Sequence, residues 1–298
     1  MRPAIIYLAL FIAVLSMSTS SIMIRYITAP ALIIALYRVI FTAGLTALLS
    51  RTAPTGIKQL QRRDLAYILA SGVFLALHLG LWITSLNHTS ISSSVLFTNL
   101  QVIFVLLLSA WLLKERVNRW VQGGIGLALL GSLLIMQGDL QSGRLLGDML
   151  ALLSGLFIAI YFLIGRDVRS RVDVWTYTSI AAAAASVVLL AICSVLGLRL
   201  TSYPRLDWIL FLLQAAVPGI IGHASLNWAL KYVKAPVVSV SVLGESVGAS
   251  ILACLIFGEA LAWYQLAGGF LILSGIYIAA TREHGPAEEA VTTSLPPA

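Results

Sequence analysis

The chain has 298 residues, 59% of them hydrophobic and only 10% charged. Its mean hydropathy of +0.96 excludes an ordinary soluble domain. A net charge of +7 would suit nucleic acid, but the lysines and arginines sit mostly beside long apolar stretches, where they set membrane topology instead.

A hydrocarbon core of about 30 Å needs roughly 20 apolar residues per helical crossing, and ten stretches meet that need. Span 1 covers 5–25 and carries the run Ser16, Ser18, Thr19, Ser20, Ser21, small residues that let helices approach closely. Arg2 ahead of this apolar core resembles a signal peptide, but no A-x-A site follows and nine more spans do, so it reads as a retained helix. Span 2 (29–50) places Arg38 close to the midplane. Span 3 (65–86) carries His78 and Trp82, span 4 (90–112) Asn99 and Gln101, and span 5 (117–137) a series of glycines. Span 6 (145–165) contains Tyr161 and span 7 (174–198) Thr178. Span 8 (207–230) carries Pro218, Gly219 and Gly222 near its middle, where a kink is expected, followed by His223 and Asn227. Span 9 (236–257) holds Glu245, and span 10 (261–281) closes the series. Cys193 and Cys254 lie inside spans without metal or redox spacing and read as packing residues. Residues 282–298, rich in Pro, Ala, Glu and Thr, are expected to form a disordered cytoplasmic tail.

Charge sets the orientation. With a cytoplasmic N-terminus, fourteen Lys and Arg fall on the inside (Arg2, Arg51, Lys58, Arg62, Arg63, Lys114, Arg116, Arg119, Arg166, Arg169, Arg171, Lys231, Lys234 and Arg282). Only Arg25, Arg144, Arg199 and Arg205 fall outside. That bias predicts both termini in the cytoplasm and insertion in a cell (inner) membrane.

The halves repeat. Shifted by 144 residues, Leu86, Leu108, Glu115, Gly124, Leu127, Leu129 and Gly131 fall on Leu230, Leu252, Glu259, Gly268, Leu271, Leu273 and Gly275. At nearby offsets His78 falls on His223, Trp82 on Asn227, Ser20 on Tyr161 and Arg38 on Thr178, and at 144 Gln101 falls on Glu245. Five spans per copy is an odd number, so the second copy enters the membrane from the opposite side. The expected fold is therefore all-α integral membrane, with ten transmembrane helices as two inverted five-helix repeats, 1–140 and 141–281, around a central cavity. Inverted repeats of this kind are a recurring transporter architecture, with substrate held near the midplane.

These features resemble the EamA-type carriers of the drug/metabolite transporter (DMT) superfamily. The resemblance spans residues 4–281 and rests on the two five-span halves, on "LLKER" and "IFGEA" at the ends of spans 4 and 9, and on the glycine-spaced spans 5 and 10. The opening of the second half, "GDMLALLSGLFIAIYFLIGRDVR", adds to it. It implies a basket of ten helices whose cavity is walled by spans 1, 3, 4, 6, 8 and 9, and an activity in metabolite or amino-acid efflux. Two departures stand out: span 4 reads "TNLQVIF" without the common proline, and span 9 reads "GES" where "EP" is common.

Ionisable groups at membrane depth are costly and mark functional positions. Arg38 and Glu245 are the two full charges placed deep in the bilayer. Either they pair with each other or with carbonyls and hold the bundle together, or Arg38 takes an anionic substrate group and Glu245 an amine or a proton. Structural pairing leads for Arg38, because the resemblance puts span 2 behind the cavity wall; function leads for Glu245. His78 with Trp82, and His223 with Asn227, share helix faces four residues apart and suit a cavity lining, although each histidine could simply bond a neighbouring helix. Ser20, Tyr161 and Gln101 complete the substrate-binding candidates, with Asn99 a weaker one. Glu115 and Glu259, at helix ends, read as structural.

The leading reading is a secondary transporter exporting a small metabolite, such as an amino acid or related solute, by alternating access, with protons a candidate coupling ion. An importer or facilitator of a vitamin-like or heteroaromatic solute is the alternative. No Walker A, H-E-x-x-H or G-x-S-x-G pattern occurs, so ATP coupling and an intramembrane enzyme are disfavoured, as is a channel, which favours rings of repeated polar residues. No cofactor, metal or nucleic acid is expected.

Overall fold

In a computed structural model of the chain, residues 3–51, 60–89, 91–115, 117–136, 145–257 and 262–282 are described. Among them ten apolar helical segments run in chain order. These are α1 (Pro3–Arg25), α2 (Ala31–Ser50), α3 (Arg62–Ser85), α4 (Ile91–Asn99, Gln101–Leu108 and Ser109–Leu113), and α5 (Arg119–Met136). The second half supplies α6 (Leu145–Val168), α7 (Val174–Val195), α8 (Arg205–Gln214, Ala215–Ala224 and Ser225–Ala229), α9 (Ala235–Val242 and Gly244–Phe257) and α10 (Trp263–Arg282). Nine are long and apolar enough to cross a bilayer, and α5 is a shorter apolar helix. With no water at membrane depth, every backbone polar group must be satisfied within the helix, which is why the described spans answer their hydropathy with helices. Glu259 and the tail beyond residue 282 lie outside the described residues.

The inversion is visible where α5 crosses α10. Gly124 faces the carbonyl of Gly275, and a Cβ built on Gly131 would stand 2.5 Å from the carbonyl of Gly268. As the number rises on one helix it falls on the other, so the two run antiparallel. The repeat maps Gly124 onto Gly268 and Gly131 onto Gly275, so each close contact is the image of the other. Glycine is required there because backbone meets backbone. The same symmetry relates α1 packed on α8 and α9 to α6 packed on α3 and α4, while α2 packs on α7.

Two helices break near equivalent points without the missing proline. α4 is interrupted at Leu100 and α9 at Leu243, each by a tight turn: Ile103 N donates to Leu100 O at 3.0 Å, and Leu243 N to Val240 O at 3.1 Å. The expected disturbance in α8 takes the form of wide, π-helical turns over Ala215–Ala224, which include Pro218. Proline cannot donate to the ladder, and a widened turn is one way a helix absorbs that loss. α7 starts on Asp173, whose Oδ1 accepts from Trp175 N at 2.9 Å and Thr176 N at 3.0 Å. Cys193 is buried and Cys254 half-buried, and neither forms a disulfide.

Candidate functional site

A cavity of about 500 Å³, counting the part open to solvent, lies between the halves. Seven of the nine expected site residues line it: Ser20, Arg38, His78, Trp82, Gln101, His223 and Glu245. Met17, Leu79, Val95, Thr98, Asn99, Ile158, Phe162 and Val242 complete the wall. Helices α1, α3, α4, α6, α8 and α9 therefore surround it.

Arg38 lines the cavity although its helix, α2, was expected behind the wall. Its side chain is long enough to carry the guanidinium from α2 to the cavity, between α1 and α8. There Nη1 donates to Ser20 Oγ at 3.1 Å and approaches Gln214 Oε1 at 3.5 Å. Gln214 is the residue the sequence reading missed. Fully buried, it accepts from Ser20 Oγ at 2.9 Å and donates Nε2 to Ser20 O at 2.8 Å, which ties α8 to α1 beside the arginine. An amide inside an apolar span is a legible signal, but at the 143-residue offset that relates the starts of α3 and α8 its partner is a serine, Ser71, of a kind common in these spans.

Glu245 lines the same cavity, and among the described residues no ion pair joins it to Arg38. Its helix is anchored instead through the backbone, with Ser18 Oγ donating to Glu245 O at 3.2 Å. Two opposite charges thus share one cavity without neutralising each other by contact.

His78 and His223 face each other across the repeat, ring centroids 6.4 Å apart, and Trp82 lies parallel to His78 with centroids at 6.5 Å. Ser154 Oγ donates to His78 O at 3.1 Å and stands 2.8 Å from His78 Nδ1, with Ser154 O at 3.2 Å. With the serine hydrogen used on a carbonyl, the ring hydrogen belongs on Nδ1, leaving Nε2 as an acceptor. His223 Nδ1 and Gln101 Oε1 are buried without a hydrogen-bond partner among the described residues. Asn99 Nδ2 donates to Ser246 Oγ at 3.0 Å, which links α4 to α9.

Tyr161 and Asn227 are not brought to this cavity, contrary to expectation. Asn227 Nδ2 donates to Tyr161 OH at 2.5 Å, and both side chains are almost wholly buried. They belong to a plug at the end of the bundle that carries Arg166, Arg169 and Arg171. Arg166 pairs with Glu115 at 2.7 Å and donates to Leu230 O at 2.6 Å; Arg169 donates to Asn227 O at 3.1 Å; Arg171 pairs with Asp64 at 2.9 Å and Asp167 at 2.8 Å. Hydrogen bonds from Arg171 to Asp167 and Asp64 hold its guanidinium above the usual arginine range. At the opposite end neutral donors hold two carboxylates. Thr28 Oγ1 donates to Asp207 at 2.8 Å, and Thr89 and Ser93 donate to Asp148 at 2.7 and 2.6 Å.

Fold and site together define a polytopic membrane protein with two inverted repeats around a charged central cavity, the architecture of a solute carrier. The chain belongs to the EamA-like transporter family, whose model matches residues 4–137 and again 145–281. It is similar to an uncharacterized transporter of Archaeoglobus fulgidus, 27% identical over 273 residues, which cover 91% of this chain and 94% of that one. The uncharacterized transporter YcxC of Bacillus subtilis is 29% identical over 186 residues, covering 58% of this chain and 59% of YcxC. A solved crystal structure matches with a TM-score of 0.74 over 91% of this chain and 96% of its own, at 17% identity, a likeness of fold alone. These relatives point to a transporter and away from an enzyme.

Proposed function

We propose that the protein is a secondary transporter that exports a small metabolite, an amino acid or a related solute, by alternating access across a cell (inner) membrane, with both termini in the cytoplasm. The observation that carries this reading is the cavity in which Arg38 and Glu245 both stand without contacting each other. A solute with one anionic and one cationic group completes both charges, which is worth most where water is excluded. Trp82 and the two imidazoles give its side chain a flat, partly polar wall. Glu245 is also the group placed to exchange a proton with the solute, which would couple export to a proton gradient. The positive-inside distribution of Lys and Arg supports the orientation.

The test compares metabolites inside and outside cells that express the protein or an Arg38→Ala, Glu245→Ala double mutant at equal membrane levels. One zwitterionic solute enriched outside only with the intact protein is the expected result. Enrichment inside would replace export with import, and equal solute levels for both chains would remove the two charges from the site.

A further inference from the structure

We infer that the protein has a second binding vestibule, closed in this conformation, at the arginine-rich end and lined by Tyr161, Thr178, Asn227 and Ser239. The inference rests on the alternating-access reading and names the residues that the ligand meets on its other side. Mapped through the repeat, the residues around the open cavity fall into two kinds. Met17 and Ile158, His78 and His223, Thr98 and Val242, and Gln101 and Glu245 are repeat equivalents, and both members of each pair face the cavity. They mark the axis between the halves.

For a second kind only one member faces it. Leu79, Asn99 and Phe162 line the cavity, whereas their equivalents Ala224, Leu243 and Ser21 are buried away from it. Likewise Ser20, Arg38, Trp82 and Val95 line it, whereas their equivalents Tyr161, Thr178, Asn227 and Ser239 are buried away from it. Each of these four lies within about two turns of the arginine-rich end of its helix. Three of them hold a buried polar atom with no hydrogen-bond partner among the described residues: Thr178 Oγ1, Asn227 Oδ1 and Ser239 Oγ. The fourth, Tyr161 OH, accepts from Asn227. Buried polar atoms are normally satisfied, and orphans call for an explanation. That three should fall on the repeat images of cavity-lining residues supplies one. Interchanging the conformations of two inverted halves gives each residue the surroundings of its equivalent, so these atoms would then face water or ligand.

The two ends differ in chemistry. One offers a guanidinium and an indole; the other offers hydroxyls and a carboxamide, neutral groups that hold a polar solute by hydrogen bonds alone. An anionic group held by Arg38 from one side is handed to neutral donors on the other, where its hold is weaker. Opening that end requires the Arg166–Glu115 and Arg171–Asp64 pairs and the Tyr161–Asn227 bond to part.

The test uses Thr178→Cys and Ser239→Cys, separately, in the full chain with Cys193→Ala and Cys254→Ala. A membrane-impermeant, charged methanethiosulfonate is applied to one face of sealed vesicles at a time, with Lys231→Cys marking the arginine-rich face. Both cysteines should react from that face, and severalfold faster when Arg171→Ala is added, while Ser20→Cys should react from the opposite face and slow down. Reaction of positions 178 and 239 from neither face, with Ser20→Cys reactive, overturns the vestibule, as does reaction from the opposite face. Flux of a mixture of labelled amino acids and of cell-extract metabolites in the same vesicles separates the two readings. Flux with both positions unreactive overturns the vestibule alone, and its absence in the cysteine-free parent overturns transport.

Discussion

Gln214 is the most informative residue to perturb, because it touches both Ser20 and the arginine that the cavity presents. Gln214→Leu removes two good interhelical bonds, at 2.8 and 2.9 Å, and the longer approach to Arg38 at 3.5 Å. Bonds of this kind measure about 0.6–2 kcal/mol in membranes, so the predicted loss of stability is about 2 kcal/mol. The guanidinium also loses one of its two neighbours and should wander, which raises KM for an anionic solute. Gln214→Glu separates position from charge. A carboxylate 3.5 Å from the guanidinium gains about 5 kcal/mol of attraction at an effective dielectric of 20, much of it offset by desolvation. A carboxylate cannot replace the Nε2 donor to Ser20 O, so the new ion pair should offset that lost bond only in part. The variant should lose less stability than Gln214→Leu in a denaturant titration in bicelles, yet bind the anionic solute at least tenfold more weakly, because its cation is already paired. A Gln214→Glu protein with unchanged KM would refute the role given to Arg38 and, with it, the cavity's charge logic.

Gly131→Val should destabilise the bundle by about 1–3 kcal/mol, because its Cβ meets the Gly268 backbone at 2.5 Å, whereas Gly126→Ala, with open space around it, should be neutral or stabilising; thermal unfolding compares them. Ser154→Ala should lower flux by leaving the His78 ring only the Ser154 carbonyl to hold it, and Ser154→Thr, which keeps the hydroxyl, should retain more of the flux. Arg171 is 42% exposed, so Arg171→Ala should cost about 1 kcal/mol or less. Its raised pKa places that contribution fully below the usual arginine value, to be lost only as pH climbs through the folded one, so the cost should be constant across the neutral range.

The spans and the repeat were legible in the sequence because membrane insertion is written in twenty-residue blocks of hydropathy, and duplication preserves spacing. The ten stretches differ from the observed helices mainly by a few residues at their ends. The site was legible in part. His78, His223, Gln101 and Glu245 sit on the repeat axis, where symmetry alone points inward. Arg38 was among the candidates because a charge at membrane depth is conspicuous, although its helix was expected behind the wall; the reach of its long side chain reconciles the two. Tyr161 and Asn227 were expected in the wall because the sequence carries no record of which conformation is occupied. The break at Leu100 has no proline or glycine beside it to announce it, and the one at Leu243 has only Gly244.

The widened turns of α8 have one more consequence. Helices α3 and α8 begin alike, with an arginine followed two residues later by an aspartate: Arg62 and Asp64, Arg205 and Asp207. Those starts are offset by 143 residues, yet His78 and His223, further along, are offset by 145. Between them the second copy is two residues longer than the first. A π turn bonds i to i+5 and holds roughly one residue more than an α turn, so the ten-residue stretch Ala215–Ala224, about two such turns, is long enough to swallow both. The extra length is accommodated within the span instead of being looped out, and His223 stands opposite His78. Deleting two residues from this stretch should therefore straighten α8 while leaving the two imidazoles face to face.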